Sequence, residues 1–197
     1  MNYLAHAYLS FRDPEILLGN LISDFVKGKR KFEYSPRIQE GITLHRAIDA
    51  FTDAHPATKE GKKIFRSDYG LYGSAFMDIV YDHFLAIDQK EFGSAELLNF
   101  SQWVYASLDK SVDLAPDRFR QMFPFMKQHN WLYNYQYTWG IERSFEGLAR
   151  RAAYIKESRT AFKLFNDHYR HLQYIYNDFF PYLKKNSSEI FHSFGKI

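Results

Sequence analysis

"SPRIQEGITLHRAIDAFTDAHP", residues 35–56, carries the punctuation of a helix at both ends. Ser35 stands where an N-cap belongs, Pro36 takes the first helical position, and Pro56 stops the run. Between them Leu44, Ala47, Ile48 and Phe51 form a stripe suited to facing a core. Beside that stripe His45, Asp49 and Asp53 follow one another at four-residue steps, the spacing that stacks side chains on one helix face. A carboxylate next to a buried seam is costly unless a cation, a donor or a metal satisfies it. One segment thus fixes a helix and asks what meets its charge.

The same grammar repeats outward. "DPEILLGNLISDFVKG" (13–28) opens on Asp13 as N-cap with Pro14 behind it and stops at Gly28; "GSAFMDIVYDHFLAID" (73–88) makes a third amphipathic helix, with Ser74 as cap. Further helices are expected over 95–110, 116–128, 140–157 and 159–184, the last ending near Pro181. No Asn-Gly or Asp-Gly pair between alternating apolar runs signals a hairpin. With 197 residues and no Pro/Gly/Ser-rich linker, the expectation is an all-α, single-domain helical bundle over 1–197.

Composition narrows the function. Zero cysteines exclude a disulfide scaffold, thiolate zinc sites and a cysteine nucleophile. No apolar run approaches the ~20 residues that cross a bilayer, and "MNYLAHAYLSFRDPE" lacks a basic region ahead of an apolar one, so a cytoplasmic protein without membrane contact is expected. A net charge of +3 gives no argument for nucleic acid. Locally, "VKGKRKF" gathers Lys27, Lys29, Arg30 and Lys31 after an expected helix end. There they either complement the helix dipole or attract an acidic partner or phosphate.

The ladder also recurs. Asn20 and Asp24 lie four apart on one expected helix, and Asp78 and Asp82 on another, with His83 next in sequence. Each sits among Leu, Ile, Phe or Val. Either a divalent cation resolves the cost of these acids, or a buried ion-pair network does so with Arg46 and Arg66. Carboxylate oxygens suit magnesium and manganese, imidazole suits transition metals, and a mixed set with open positions fits an activated water. Phosphoester hydrolysis matches such a site, because its transition state spreads negative charge that arginines stabilise. "GIERSFEGLARRAAYI" supplies Arg143, Arg150 and Arg151, the first two seven apart and so on one face. Walker, GxGxxG, GxSxG and HExxH motifs are absent.

Together "MNYLAHAYLS", "LLGNLISDFVKG", "GITLHRAIDAFTDAHP", "DIVYDHF", the Trp131-Leu132 pair, "GLARR" and "FFPYL" span nearly the whole chain, and in this order the sequence resembles the acyl carrier protein phosphodiesterases. The resemblance implies an HD-domain-like helical fold, distantly related to the metal-dependent HD phosphohydrolases. It also implies cleavage of 4′-phosphopantetheine from holo-acyl carrier protein with manganese or magnesium. It assigns Asp24, His45, Asp49, Asp78, Asp82 and His83 to the metal and water-activating set, with Asn2 and His6 nearby. The His-Asp order that names the HD fold is reversed here as Asp82-His83. Within that frame Asp24, His45, Asp78, Asp82 and His83 are the expected ligands, and Asp49 or Asp82 takes the water proton. Arg46 or Arg150 steadies the phosphoryl charge, and His6 or His83 protonates the leaving serine. Lys27, Lys29, Arg30 and Lys31 become a docking patch for an acidic carrier. The alternatives are an HD-like phosphohydrolase acting on a nucleotide or other small phosphoester, and a non-catalytic module that binds an acidic partner.

Overall fold

The computed structural model describes residues 1–93 and 95–195, and every regular element among them is helical. The chain opens with a short helix, α1 (Tyr3–Tyr8), which the expected helices did not include. In α2 (Pro14–Ile22) the Asp13 carboxylate accepts the N–H groups of Glu15 and Ile16, the expected cap. The helix ends earlier than Gly28, however: residues Ser23–Phe25 tighten into a 3-10 turn, and a second one spans Gly28–Glu33. Asp24 therefore projects from a turn rather than from a helix face.

The opening stretch becomes α3 (Pro36–Ala54), with the Ser35 hydroxyl accepting the Ile38 N–H. Pro56 both ends α3 and begins α4 (Pro56–Tyr69), a helix absent from the expected set. His55 caps it, its Nδ1 accepting the N–H of Ala57. Then follow α5 (Gly73–Ile87), α6 (Glu96–Asp109), α7 (Asp117–Gln128), the single-turn α8 (Trp131–Asn134), α9 (Thr138–Arg151), α10 (Arg159–Asp167) and α11 (Tyr169–Ser193). The expected 159–184 helix is thus two helices broken at His168. The second runs through Pro181 to Ser193. An interior proline costs ~3 kcal/mol. Phe179, Phe180 and Leu183 around it are buried, and burying large apolar side chains at ~1.5–3 kcal/mol each outweighs that cost.

One hydrophobic cluster draws on every helix from α1 to α11. Its centre is aromatic: Phe65, Phe76 and Phe145 meet with centroids 4.9–6.3 Å apart, and Tyr81 stacks on Phe179 at 4.7 Å. Apart from this core, α2 and α3 cross at two glycines. A Cβ on Gly19 would lie 2.1 Å from the Ile38 carbonyl oxygen, and one on Gly41 2.4 Å from that of Ile16. That close approach sets Asn20 of α2 directly against His45 of α3.

Candidate metal centre

Asn20 organises the site. Its Nδ2 donates to the His6 carbonyl and to Ser10 Oγ, which leaves Oδ1 as an acceptor for His6 Nδ1 at 2.7 Å. Its backbone carbonyl accepts His45 Nδ1, also at 2.7 Å. Both imidazoles therefore donate from Nδ1 and turn Nε2 the other way, the orientation that metal-ligating histidines take. The rings stack with centroids 4.0 Å apart. Asp49, one turn beyond His45 on α3, brings Oδ2 to 3.1 Å from His45 Nε2 and Oδ1 to 3.3 Å from His6 Nε2. One ligand atom from each of His6, His45 and Asp49 lies within 4.8 Å of the other two. Asp24 completes the rim, Oδ1 3.2 Å from His45 Nε2 and the side chain 78% exposed.

The electrostatics of this cluster are those of a place that needs positive charge. Burial, then the adjacent His45, holds His6 down to about 4. Burial also pulls on His45, but hydrogen bonds to Asp24 and Asp49 outweigh it and raise the group to about 9. Burial opposes ionisation of Asp49, yet contacts with His45, His6 and the Met1 ammonium take it below the carboxylate range. One proton on His45 thus bridges two carboxylates, while the buried His6 Nε2 has no hydrogen-bond partner. Two oriented imidazole nitrogens, a carboxylate oxygen and an orphaned lone pair fit a cation: His6, His45 and Asp49 form a group that could hold a metal ion.

Not all expected residues come to this point. Asp78 of α5 faces it, but its Oδ1 receives the Met1 ammonium at 2.9 Å, and that ammonium also reaches Asp49 at 3.3 Å. Asp82, a turn later, is fully buried and accepts the N–H groups of Leu4 and Ala5 at 2.7 and 3.1 Å, so it pins the first turn of α1. Burial pushes Asp82 up to about 7 against the pull of those two donors. His83 points elsewhere. Its Nδ1 donates to the Tyr135 carbonyl at 2.7 Å and its Nε2 accepts from the Tyr169 hydroxyl at 2.9 Å, inside an aromatic box of Phe84, Phe165 and Tyr169. Asp82 is thus spent on the α1 N–H groups and His83 on Tyr135 and Tyr169, and neither joins the His6–His45–Asp49 group.

The arginines rearrange too. Arg46 is exposed and reaches only the Val26 carbonyl, at 3.4 Å, and Arg150 leans toward Glu146 at 3.9 Å. Neither Arg46 nor Arg66 forms an ion pair with the cluster among the described residues, so the alternative counterion network is not what satisfies it. Arg151 instead lines the cavity of about 240 Å³ that His6, Asp24, His45 and Asp78 share. Lys27, Lys29 and Arg30 are exposed on the 3-10 segment that follows Asp24, and Lys31 is half-exposed, lying over Phe32. Two participants were hard to read from sequence. His6 sits on a helix of one and a half turns, too short for periodicity, and the anchor Asn20 was visible only as a ladder partner of Asp24.

An all-α domain with a metal-competent His/His/Asp cluster at the meeting of α1, α2 and α3 defines the class of protein. The chain belongs to the acyl carrier protein phosphodiesterase family, whose model matches residues 1–183. It is 29% identical over 188 residues to the acyl carrier protein phosphodiesterase of Photorhabdus laumondii, covering 95% of each chain. It is 30% identical over 190 residues to that of Yersinia enterocolitica, covering 96% of this chain and 98% of the other. No solved structure shows a significant match. No helix among the described residues is long and apolar enough to cross a membrane.

Proposed function

We propose that the chain hydrolyses the phosphodiester joining 4′-phosphopantetheine to the serine of holo-acyl carrier protein, using a divalent metal in the cytoplasm. Its relatives bear the name of that activity. The observation that carries the reading is the pair of Nε2 atoms, of His6 and His45, both rings anchored through Asn20 and both Nε2 atoms turned toward Asp49. His6, His45 and Asp49 would hold the ion, with Asp24 at the open edge. Manganese or magnesium fits the mixed donor set, and the two imidazoles favour manganese. A divalent cation bound there supplies positive charge to phosphoryl oxygens and makes water more acidic.

The protein's own groups do the rest. In the metal-free protein the hydrogen bond from His45 keeps Asp24 ionised against partial burial; with His45 Nε2 turned to an ion, Asp24 would be released from it and, as the exposed carboxylate, would accept the proton of the attacking water. Attack at phosphorus breaks the bond to the serine oxygen, and the proton on Asp24 passes to that oxygen as it leaves. Arg151 lies against the same cavity without a carboxylate partner among the described residues, so its guanidinium is free for a non-bridging oxygen. The exposed Lys27, Lys29 and Arg30, with Lys31, lie on the Asp24 side, where a small acidic carrier would approach.

Incubating the purified protein with holo-carrier and manganese tests this directly. The carrier should lose the mass of its phosphopantetheine group, and EDTA should stop the loss. An unchanged holo-carrier alongside cleavage of a nucleotide phosphoester would favour the small-substrate alternative.

A further inference from the structure

A second cavity of about 600 Å³ adjoins the catalytic one. The two share Asn2, Tyr3, Ile79 and Arg151 in their linings and so lie side by side. The catalytic cavity, at about 240 Å³, is the smaller of the two. The larger one lies within the ~300–1,000 Å³ range of pockets that enclose an elongated small molecule. Trp131, Phe125 and Trp139 line it, Trp131 lying 6.4 Å from the shared Tyr3, and Trp139 stacks on Tyr137 at 5.6 Å beneath the Arg143 guanidinium. Two amides line it as well. Asn2 spends its side-chain N–H on Tyr135, and Asn134 spends its own on the His129 carbonyl. The carbonyl oxygens of both side chains are left with acceptor capacity.

We infer that this second cavity is the binding channel for the uncharged, amide-bearing pantetheine arm of the substrate, with Arg151 at the junction gripping the phosphate. The inference rests on the phosphodiesterase reading and extends it. A phosphodiester at the His/Asp cluster has two substituents, which must leave by different exits. The Asp24 edge is exposed and bordered by the basic segment, which suits a folded acidic protein. The Asn2–Arg151 edge borders a half-open, mostly apolar cavity, which suits a flexible chain with two amide N–H donors and an apolar geminal dimethyl group. Arg150 leans toward Glu146 and Arg143 covers Trp139, so Arg151 is the arginine positioned for the anionic end.

Gly147 allows a direct test. It lines the channel on α9, four residues before Arg151, and a Cβ built there meets only the end of the Arg150 side chain, at 3.8 Å. Gly147→Phe can therefore fill the channel without striking backbone. The expected result is at least a tenfold fall in kcat/KM for holo-carrier relative to that for bis(p-nitrophenyl) phosphate, which has no arm. Gly147→Ala, adding one carbon, should give a smaller fall. Calorimetric titration with pantetheine and with 4′-phosphopantetheine reads the channel without turnover: wild-type protein should bind both, and Gly147→Phe should lose both. Wild-type turnover of holo-carrier with an unchanged substrate ratio in Gly147→Phe, or equal binding of pantetheine by both proteins, would overturn the channel while keeping the phosphodiesterase reading. Pantetheine binding that Gly147→Phe abolishes, in a protein that leaves holo-carrier intact, would keep the channel and end the phosphodiesterase reading.

Discussion

Replacing Gly41 by alanine should disable the site from four residues away. The new methyl carbon would lie 2.4 Å from the Ile16 carbonyl oxygen, 2.9 Å from the Gly19 Cα and 3.0 Å from the Asn20 nitrogen, all of them backbone. Ordinary contact begins at 3.4 Å, and no rotamer change can yield the space, so α3 must retreat from α2 by about 1 Å. Overpacking of this kind costs about 1–3 kcal/mol, which in a chain of this length lowers Tm by roughly 2–12 °C. The functional loss should be larger than the stability loss suggests. His45 and Asp49 ride on α3, whereas Asn20, which orients both imidazoles, rides on α2. Metal sites tolerate only about 0.2 Å in ligand distance, and a 1 Å misplacement at a reacting centre costs on the order of 100-fold. The assay pairs thermal unfolding with calorimetric manganese titration and holo-carrier turnover at a temperature where the variant is fully folded. A Gly41→Ala protein that binds manganese as tightly as wild type, with kcat/KM within twofold, would refute the argument that this crossing sets the site. Gly19→Ala, with its Cβ 2.1 Å from the Ile38 oxygen, should behave alike.

Other outcomes separate the roles of the remaining residues. His45→Ala should abolish stoichiometric manganese binding, whereas Tyr169→Phe, which takes the donor from His83 Nε2, should cost about 1–3 kcal/mol of stability and leave metal content intact. The double charge reversal Lys29→Glu with Arg30→Glu should raise KM for the carrier several-fold and flatten its salt dependence, while turnover of a small diester holds; equal losses on both would count against docking there. Metal-free protein should lose stability as pH rises from about 6.5 to 9, as read from urea midpoints. Over that range native His45 keeps a proton that the unfolded chain has released, whereas at lower pH the gain from His6, held near 4, is offset by Asp82, which stays protonated up to about 7. Saturating manganese should reverse the alkaline limb, because the ion replaces the His45 proton, and an alkaline limb indifferent to EDTA would argue against a cation at His45.

What the sequence disclosed and what it hid turn first on one geometric fact. Four-residue steps on an α-helix lag a full turn count, so side chains at i and i+4 share a face but i and i+8 diverge by about 80°. His45 and Asp49 accordingly meet at 3.1 Å. Asp53, the third rung, has rotated to the outside and pairs with Lys62 at 2.7 Å. Asp78 and Asp82, one turn apart, are separated by their partners instead: the Met1 ammonium holds Asp78, the Leu4 and Ala5 N–H groups hold Asp82, and His83 turns to Tyr135 and Tyr169. Caps were dependable at Asp13 and Ser35, which cap where they stand, but not at Ser74, which lies inside α5 behind an N-cap at Tyr72. Pro56 misled in one respect, since a residue that ends one helix can begin the next, and α4 lay hidden behind it. Pro181 misled in another, because the burial of Phe179, Phe180 and Leu183 decides that stretch and no local signal shows it.

The choice between a structural ion-pair network and a metal centre turns on Asn20, a residue with no charge at all. In a network, each histidine would be free to place either nitrogen against a carboxylate, and the two rings would repel if both were protonated 4.0 Å apart. Here a single buried asparagine consumes both Nδ1–H groups, through its side-chain oxygen and its backbone carbonyl, and so fixes both tautomers. His6 is left with a buried Nε2 that has no hydrogen-bond partner among the described residues, and His45 with an Nε2 proton shared between two acids. A fold optimised for stability alone gains nothing from the unpaired His6 nitrogen, since burying one costs about 1–3 kcal/mol. A divalent ion converts that cost into a ligand bond. Asn20→Leu removes the side-chain oxygen that holds His6 but keeps the backbone carbonyl that holds His45, so it should weaken manganese binding although it touches no proposed ligand oxygen and removes no charge. Unchanged manganese affinity in that variant would mean that His6 is oriented by packing, and the case for a built metal centre would lose its strongest support.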